Sequence, residues 1–262
     1  SNQERPRAFK VRAAKTEKRE AAGATGYIVT GNYFFAILCA VIYEIATLII
    51  ADKTAPMVGE FYGLEGMSLP TGSTASFAPL GFLIGALVEK IPGLKNLHAD
   101  PETIQKKFGI FGEPMIMGAI LGCVLGILAG YDLGGVLKIG ISMGAVMLLM
   151  PRMVKILMEG LIPISESVRE FLQKKHAGKE LYIGLDAALA VGHPSVMATA
   201  LILVPIIIFL AVILPGNKVL PFGDLATIPF YVAFIVGSRK GNIVHSVITG
   251  TILMALSLYM AT

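Results

Sequence analysis

Apolar blocks of about the same length alternate with short polar stretches along the chain. A helix that crosses a hydrocarbon core of about 30 Å needs about 20 apolar residues at 1.5 Å each. Residues 33–51, 109–130, 133–150, 195–214, 219–237 and 243–261 meet that requirement. Their polar intrusions are few: Glu44, Glu113, Lys138, Asp224 and His245. Two segments fit less well. Residues 69–88 have the length, but their first half, LPTGSTASFAP, is rich in Pro, Gly, Ser and Thr. Such backbone is tolerated at membrane depth only where protein or a water-filled cavity satisfies its polar groups. Residues 181–191 are too short for a full crossing and read as a re-entrant or broken half-helix.

Two polar stretches separate these blocks. Residues 89–107 carry four lysines, and Asp100-Pro101 has the form of an N-cap followed by Pro at the first helical position. Residues 152–180 carry six basic residues, with Ile164, Val168, Phe171 and Leu172 at helical spacing. They read as a separate amphipathic helix on the membrane surface or against a soluble partner. Basic loops at 89–107, 152–180 and 239–240 belong on the cytoplasmic side. Span parity agrees if 181–214 makes one broken crossing.

Composition confirms the class. Of the 262 residues, 55% are hydrophobic and 15% charged, with a mean hydropathy of +0.72. Soluble domains carry about 25% charged residues. The fold class is therefore all-α integral membrane: a polytopic helical transporter core with broken or re-entrant helices. The net charge of +4 resides in residues 1–26, which hold seven basic and three acidic residues. These read as a disordered, basic cytoplasmic tail, and 27–262 as the transmembrane domain. The tail lacks the apolar stretch of a signal peptide. It also lacks the basic–aromatic interleaving of a nucleic-acid surface, so no nucleic-acid partner is expected. Cys39 and Cys123 lie in apolar runs without metal-ligand spacing and read as buried. No metal, cofactor or soluble catalytic constellation is expected. The chain starts without Met and ends in an apolar run, as a fragment of a longer protein would.

Ionisable groups inside membrane spans are costly and mark function. Polar groups gather at four motifs beginning at Leu69, Gly112, Gly192 and Leu220, each with Pro and Gly, and the last three of these carry the ionisable Glu113, His193 and Asp224. Proline disfavours the α region for the residue before it and suits the first helical turn. Glu113 and His193 are therefore expected at N-cap positions, with free backbone N–H groups pointing into the same space. Transporters build substrate sites from such interrupted helices. The candidate substrate-binding residues are Glu113, His193, Asp224, Asp186, Thr71 and Ser73. All but Asp224 have a plainer alternative: a surface cap for Glu113, a hydrogen-bonded core histidine for His193, a solvated mouth residue for Asp186, and backbone satisfaction in a re-entrant loop for Thr71 and Ser73. Glu44 reads as a bundle-facing hydrogen bond or a subunit contact. Gly118, Gly122 and Gly126 form a small-residue packing stripe. The four motifs follow a palindromic order, which is not by itself an internal repeat.

The stretches TGNYFFAILCAVIYEIATLIIADKTAPMVGEFYGLEGMSLPTGST, KFGIFGEP, GILAGYD, AVMLLMPRMVKILMEGLIPIS, YIGLDAALAVGHPSV and LPGNKVLPFGDLATIPF resemble the membrane permease (IIC) component of the galactitol-type sugar phosphotransferase system (PTS). The resemblance runs from about Ile28 to the C-terminus, and residues 1–26 do not share it. It implies the central portion of such a permease, with spans before and after it. It implies group translocation: a sugar or polyol crosses the bacterial inner membrane and is phosphorylated by a cytoplasmic IIB partner carrying a phosphocysteine, itself served by IIA. Related ascorbate permeases imply a homodimer with an elevator-like core. Glu113, His193 and Asp224 fall on the family's GEP, GH and LPFGD motifs. The alternatives are an ion-coupled secondary transporter, with those three residues as proton sites, and an inactive or split fragment of a permease.

Overall fold

The computed structural model describes residues 22–91, 99, 113–175, 182–219 and 227–262. Residues 22–30 form helix α1. Asn32 opens α2 (Tyr33–Tyr62) by accepting the Phe34 N–H, and left-handed Gly63 closes it. There follow β1 (Met67–Ser68), α3 (Gly72–Ala75), α4 (Ala78–Val88), α5 (Pro114–Leu128), α6 (Leu133–Lys175), β2 (Ile183–Gly184), α7 (Ala188–Val191), α8 (Pro194–Ile213), α9 (Ile228–Ser238) and α10 (Ile243–Ala261). Among the described residues four helices are long and apolar enough to cross a membrane: α2, α6 over Leu133–Val168, α8 and α10. The chain is an all-α, multi-pass membrane protein.

Several boundaries differ from the hydropathy reading. α2 does not stop at Ala51 but continues through Asp52, Lys53 and Pro56. The expected span at 133–150 and the expected surface helix from 152 are one helix, α6, which runs through Pro151 and Pro163. Proline removes one helical donor, and packed neighbours let a membrane helix tolerate this. At 43 residues α6 is about 65 Å long, about twice the hydrocarbon thickness. The Asp100-Pro101 cap lies outside the described residues.

The re-entrant expectations hold, and they hold as a pair. β1, α3 and α4 begin at residues 67, 72 and 78; β2, α7 and α8 begin at 183, 188 and 194. Every element is displaced by 116 residues. In each unit a two-residue strand leads into a four-residue helix, a two-residue break and a longer helix carrying Pro in its first turn. A helical hairpin follows each: α5–α6 turning at Gly130 (φ 75°), and α9–α10 turning at Gly241 (φ 80°). Only glycine adopts that backbone without a Cβ penalty. The palindromic motifs do not carry this repeat; the elements do.

The two units run in opposite directions. Gly81 packs on Ile235 and Gly85 on Arg239, so α4 and α9 run side by side in the same direction. Gly241 packs on Ser195 and Gly250 on Leu203, so α8 and α10 also run together. The Gly241 turn reverses α9 into α10, hence α4 opposes α8. Gly118 against Met147, Gly122 against Met143 and Gly126 against Val136 make α5 and α6 antiparallel, with the glycine stripe as the packing face. Met150 and Val154 of α6 reach Gly192 at the start of α8. α5 therefore runs with α8 and against α9. This is an inverted-topology repeat.

The core lies around α9, whose Val232–Val236 are fully buried against residues such as Val58, Leu69, Leu203 and Leu253. Lipid tails are as apolar as leucine, so close packing between helices, more than removal from water, holds such a bundle together. The first half of α2 is different: Tyr33, Phe34, Ile37 and Ile42 are all exposed, as on a helix facing lipid or another subunit. Cys39, expected to be buried, is exposed on this half, and Cys123 is half-buried against the Val136 carbonyl. His245 is buried in the first turn of α10.

Candidate functional site

The tips of the two broken units are joined. β1 and β2 pair in parallel, Met67 with Ile183 and Ser68 with Gly184. The Ile183 N–H donates to the Gly66 carbonyl at 3.0 Å and the Leu185 N–H to the Ser68 carbonyl at 2.8 Å. This ladder brings Thr71 onto Asp186. The Thr71 hydroxyl donates to Asp186 Oδ1 at 3.4 Å and accepts the Ala187 N–H at 2.8 Å. Asp186 Oδ1 also accepts the Ala188 N–H at 3.1 Å, just ahead of α7. Both side chains thus have structural employment, and Asp186 keeps an exposed face. Ser73 is buried one residue into α3; beside it the Thr74 hydroxyl is buried with no partner among the described residues.

His193 occupies the N-cap of α8, as its Gly-His-Pro sequence requires. Its Nδ1 accepts the Ser195 N–H at 3.2 Å, and its carbonyl accepts the N–H groups of Val196 and Met197. The backbone donors expected to be free there are therefore consumed, because the histidine itself caps them. An Nδ1 that accepts leaves the ring proton on Nε2. Two aromatic rings from the end of α2 flank the imidazole: Phe61 at 4.6 Å and Tyr62 edge-on at 5.6 Å. Tyr62 is itself anchored, donating its hydroxyl to the Ala233 carbonyl at 2.6 Å.

Beside this imidazole lies a cavity of about 240 Å3 bounded by Tyr62, Leu64, Val154, Lys155, Leu189 and His193. Ligand sites for drug-sized molecules run to about 300–1,000 Å3, so this one suits a small molecule. A second cavity of about 230 Å3 shares Gly63 and Ile162 with it and presents Glu65 and Glu166. The sequence reading missed Phe61, Tyr62, Lys155 and Glu65. The available signal was the aromatic pair set directly before the helix-stopping Gly63 and the re-entrant motif.

Glu113 occupies the N-cap of α5, in extended backbone, and its side chain makes no capping bond. Gly118 and Gly144 place the start of α5 beside the 143–147 stretch of α6, and Met150 and Val154 of that helix touch Gly192. Glu113 and His193 therefore lie at the same end of the bundle. Met117 and Met197, each one turn into its helix, share one apolar cluster. Asp224 lies outside the described residues. Of the six candidates, the structure joins Thr71 to Asp186, sets Ser73 beside them in sequence on α3, and places His193 and Glu113 at one end. Among the described residues no group of three His, Cys, Asp or Glu is arranged to hold a metal.

The same end gathers basic side chains. Lys90 follows α4, Arg239 and Lys240 form the α9–α10 turn, and Arg152 and Lys155 stand on α6 beside the start of α8. Arg239 pairs with Glu89 at 2.5 Å and Lys240 with Glu60 at 3.5 Å. These pairs pin the turn, with its left-handed Lys240, onto α4 and α2.

Comparison with known proteins adds identity to this geometry. Two curated relatives, the galactitol-specific EIIC components of the PTS from Escherichia coli K12 and from Escherichia coli O157:H7, are each 44% identical over 240 residues. The match takes in 92% of this chain and 53% of each relative, so the chain spans about half the length of those relatives. No solved structure matches. The family model described as the PTS system sugar-specific permease component matches residues 19–262, starting upstream of Ile28. A match of that extent, on a bundle with paired broken helices, places the chain in the family of PTS sugar-specific permease components.

Proposed function

We propose that this chain is the substrate-handling portion of a phosphotransferase-system permease for a galactitol-like polyol or sugar. The observation that carries the reading is the His193 cavity, which lies beside a broken helix where two inverted units meet. An imidazole Nε2–H and nearby carboxylates suit hydroxyl recognition without a metal. Glu113, His193, Asp186, Thr71, Ser73 and Asp224 are its proposed substrate residues. In this reading Glu113 and His193 contact the polyol, and the Thr71–Asp186 bond fixes the junction of the units.

The positive-inside rule assigns the Lys90, Arg152, Lys155 and Lys240 end to the cytoplasm of a bacterial inner membrane. The cavity then opens where a soluble IIB protein, charged through IIA, delivers its phosphoryl group. The permease contributes mainly by positioning the acceptor hydroxyl. The exposed apolar first half of α2, with half-buried Glu44, is the proposed contact of a homodimer.

The test is galactitol uptake by cells expressing the permease with and without its cognate IIB protein. Accumulation of galactitol phosphate that depends on IIB is expected. Undiminished accumulation of the phosphate without IIB would sink the proposal. Uptake abolished by an uncoupler but indifferent to the phosphotransferase proteins would replace it with ion coupling.

A further inference from the structure

The two adjoining cavities differ in charge. The one beside His193 has Lys155 in its wall and no acidic side chain; its neighbour, across Gly63 and Ile162, presents Glu65 and Glu166 and no basic one. Lys155 is exposed and has no ion-pair partner among the described residues. His193 cannot supply an acceptor to the first cavity, because Nδ1 is committed to the Ser195 N–H and Nε2 carries the proton. The polar side chains of the first cavity are thus a cation and a donor, apart from the Tyr62 hydroxyl, which is engaged with the Ala233 carbonyl. That set suits the oxygens of an anionic end, and the carboxylates next door suit the donating hydroxyls of the rest of a polyol.

Resting on the permease reading, we propose that Lys155 is a specificity-determining residue for the phosphorylated product: with His193 it engages the phosphoryl group of a polyol phosphate, while the polyol chain extends past Gly63 and Ile162 toward Glu65 and Glu166. A lysine ammonium binds phosphate as a point charge and tolerates several orientations of the group. The arrangement favours an extended ligand with one anionic end over a neutral one. Lys155 stands at the basic end of the bundle, where the product must leave.

The experiment is equilibrium binding to the whole permease in lipid nanodiscs, with galactitol and galactitol monophosphate as probes. Wild-type protein is expected to bind both. Lys155→Gln is expected to weaken the monophosphate at least tenfold more than it weakens galactitol, and Lys155→Arg to restore most of the difference. An exposed side chain can be changed this way without unfolding the bundle, and retained saturable galactitol binding serves as the folding control. Equal weakening of both probes, or no change in either, overturns the role of Lys155 alone. Wild-type protein that binds neither probe overturns the permease reading and this inference together.

Discussion

His193 performs two tasks that substitution can separate. Its Nδ1 caps α8 through the Ser195 N–H, and its ring, with the proton on Nε2, lines the cavity together with Tyr62 and Lys155. His193→Asn keeps a capping oxygen and removes the ring donor. It is expected to retain the thermal stability of the wild type to within about 1 kcal/mol, the usual worth of an N-cap, and to weaken polyol binding at least tenfold, about 1.4 kcal/mol. Isothermal titration beside a thermal melt checks both halves. Glu113 makes no capping bond, so its carboxylate is available to a ligand. Glu113→Gln is expected to abolish substrate binding while membrane insertion survives; wild-type affinity in that variant would remove Glu113 from the site. Both positions were legible in the sequence because a residue before proline is pushed into extended backbone and proline opens a helix. The Thr71–Asp186 bond was not legible as a contact. The two residues are 115 positions apart, and nothing local to either specifies the β1–β2 ladder that unites them.

At the scale of elements, periodicity succeeded where a helix is uniformly apolar and capped. Residues 243–261 were read to the residue, because Asn242 caps the start of an uninterrupted apolar run. It misled at Pro151, where a proline beside charged residues looked like a boundary but α6 continues. Apolarity also overstated burial: Cys39 lies in an apolar run yet is exposed, since a membrane helix hides apolar residues from water without burying them in protein. The α5–α6 hairpin shows what does specify packing. A Cβ on Gly122 would lie 2.9 Å from both the Ile139 carbonyl oxygen and Met143 Cβ, so the backbones meet only because the residue is glycine. Gly122→Val is expected to force the hairpin apart and destabilise it by about 1–3 kcal/mol, the usual effect of overpacking. A lowered melting midpoint in detergent would show it, and an unchanged midpoint would mean that the stripe is not a packing contact.

From β1 onward the described residues make two copies of one design, inverted with respect to each other. Their broken segments, 67–88 and 183–204, share only Leu69 with Leu185, Leu87 with Leu203 and Val88 with Val204. That is too little for sequence to announce a repeat, although backbone breaks and helix lengths reproduce it at a constant displacement. The inverted packing sets the basic turns together at one end and Lys218, beyond α8, at the other. Single cysteines at Lys90, Lys155 and Lys240, with Cys39 and Cys123 replaced, are expected to react with an impermeant thiol reagent from the cytoplasmic face, and one at Lys218 from the opposite face. Labelling of Lys90 and Lys240 from different faces would break the packing described above.

The central claim is that the cavity beside His193 holds the polyol, and the most direct measurement is saturable binding of radiolabelled galactitol to the purified permease and to its His193→Ala variant in nanodiscs. The account predicts saturable binding by the wild type and its loss in a variant that still inserts and still melts cooperatively. Equal binding by the two proteins would contradict it.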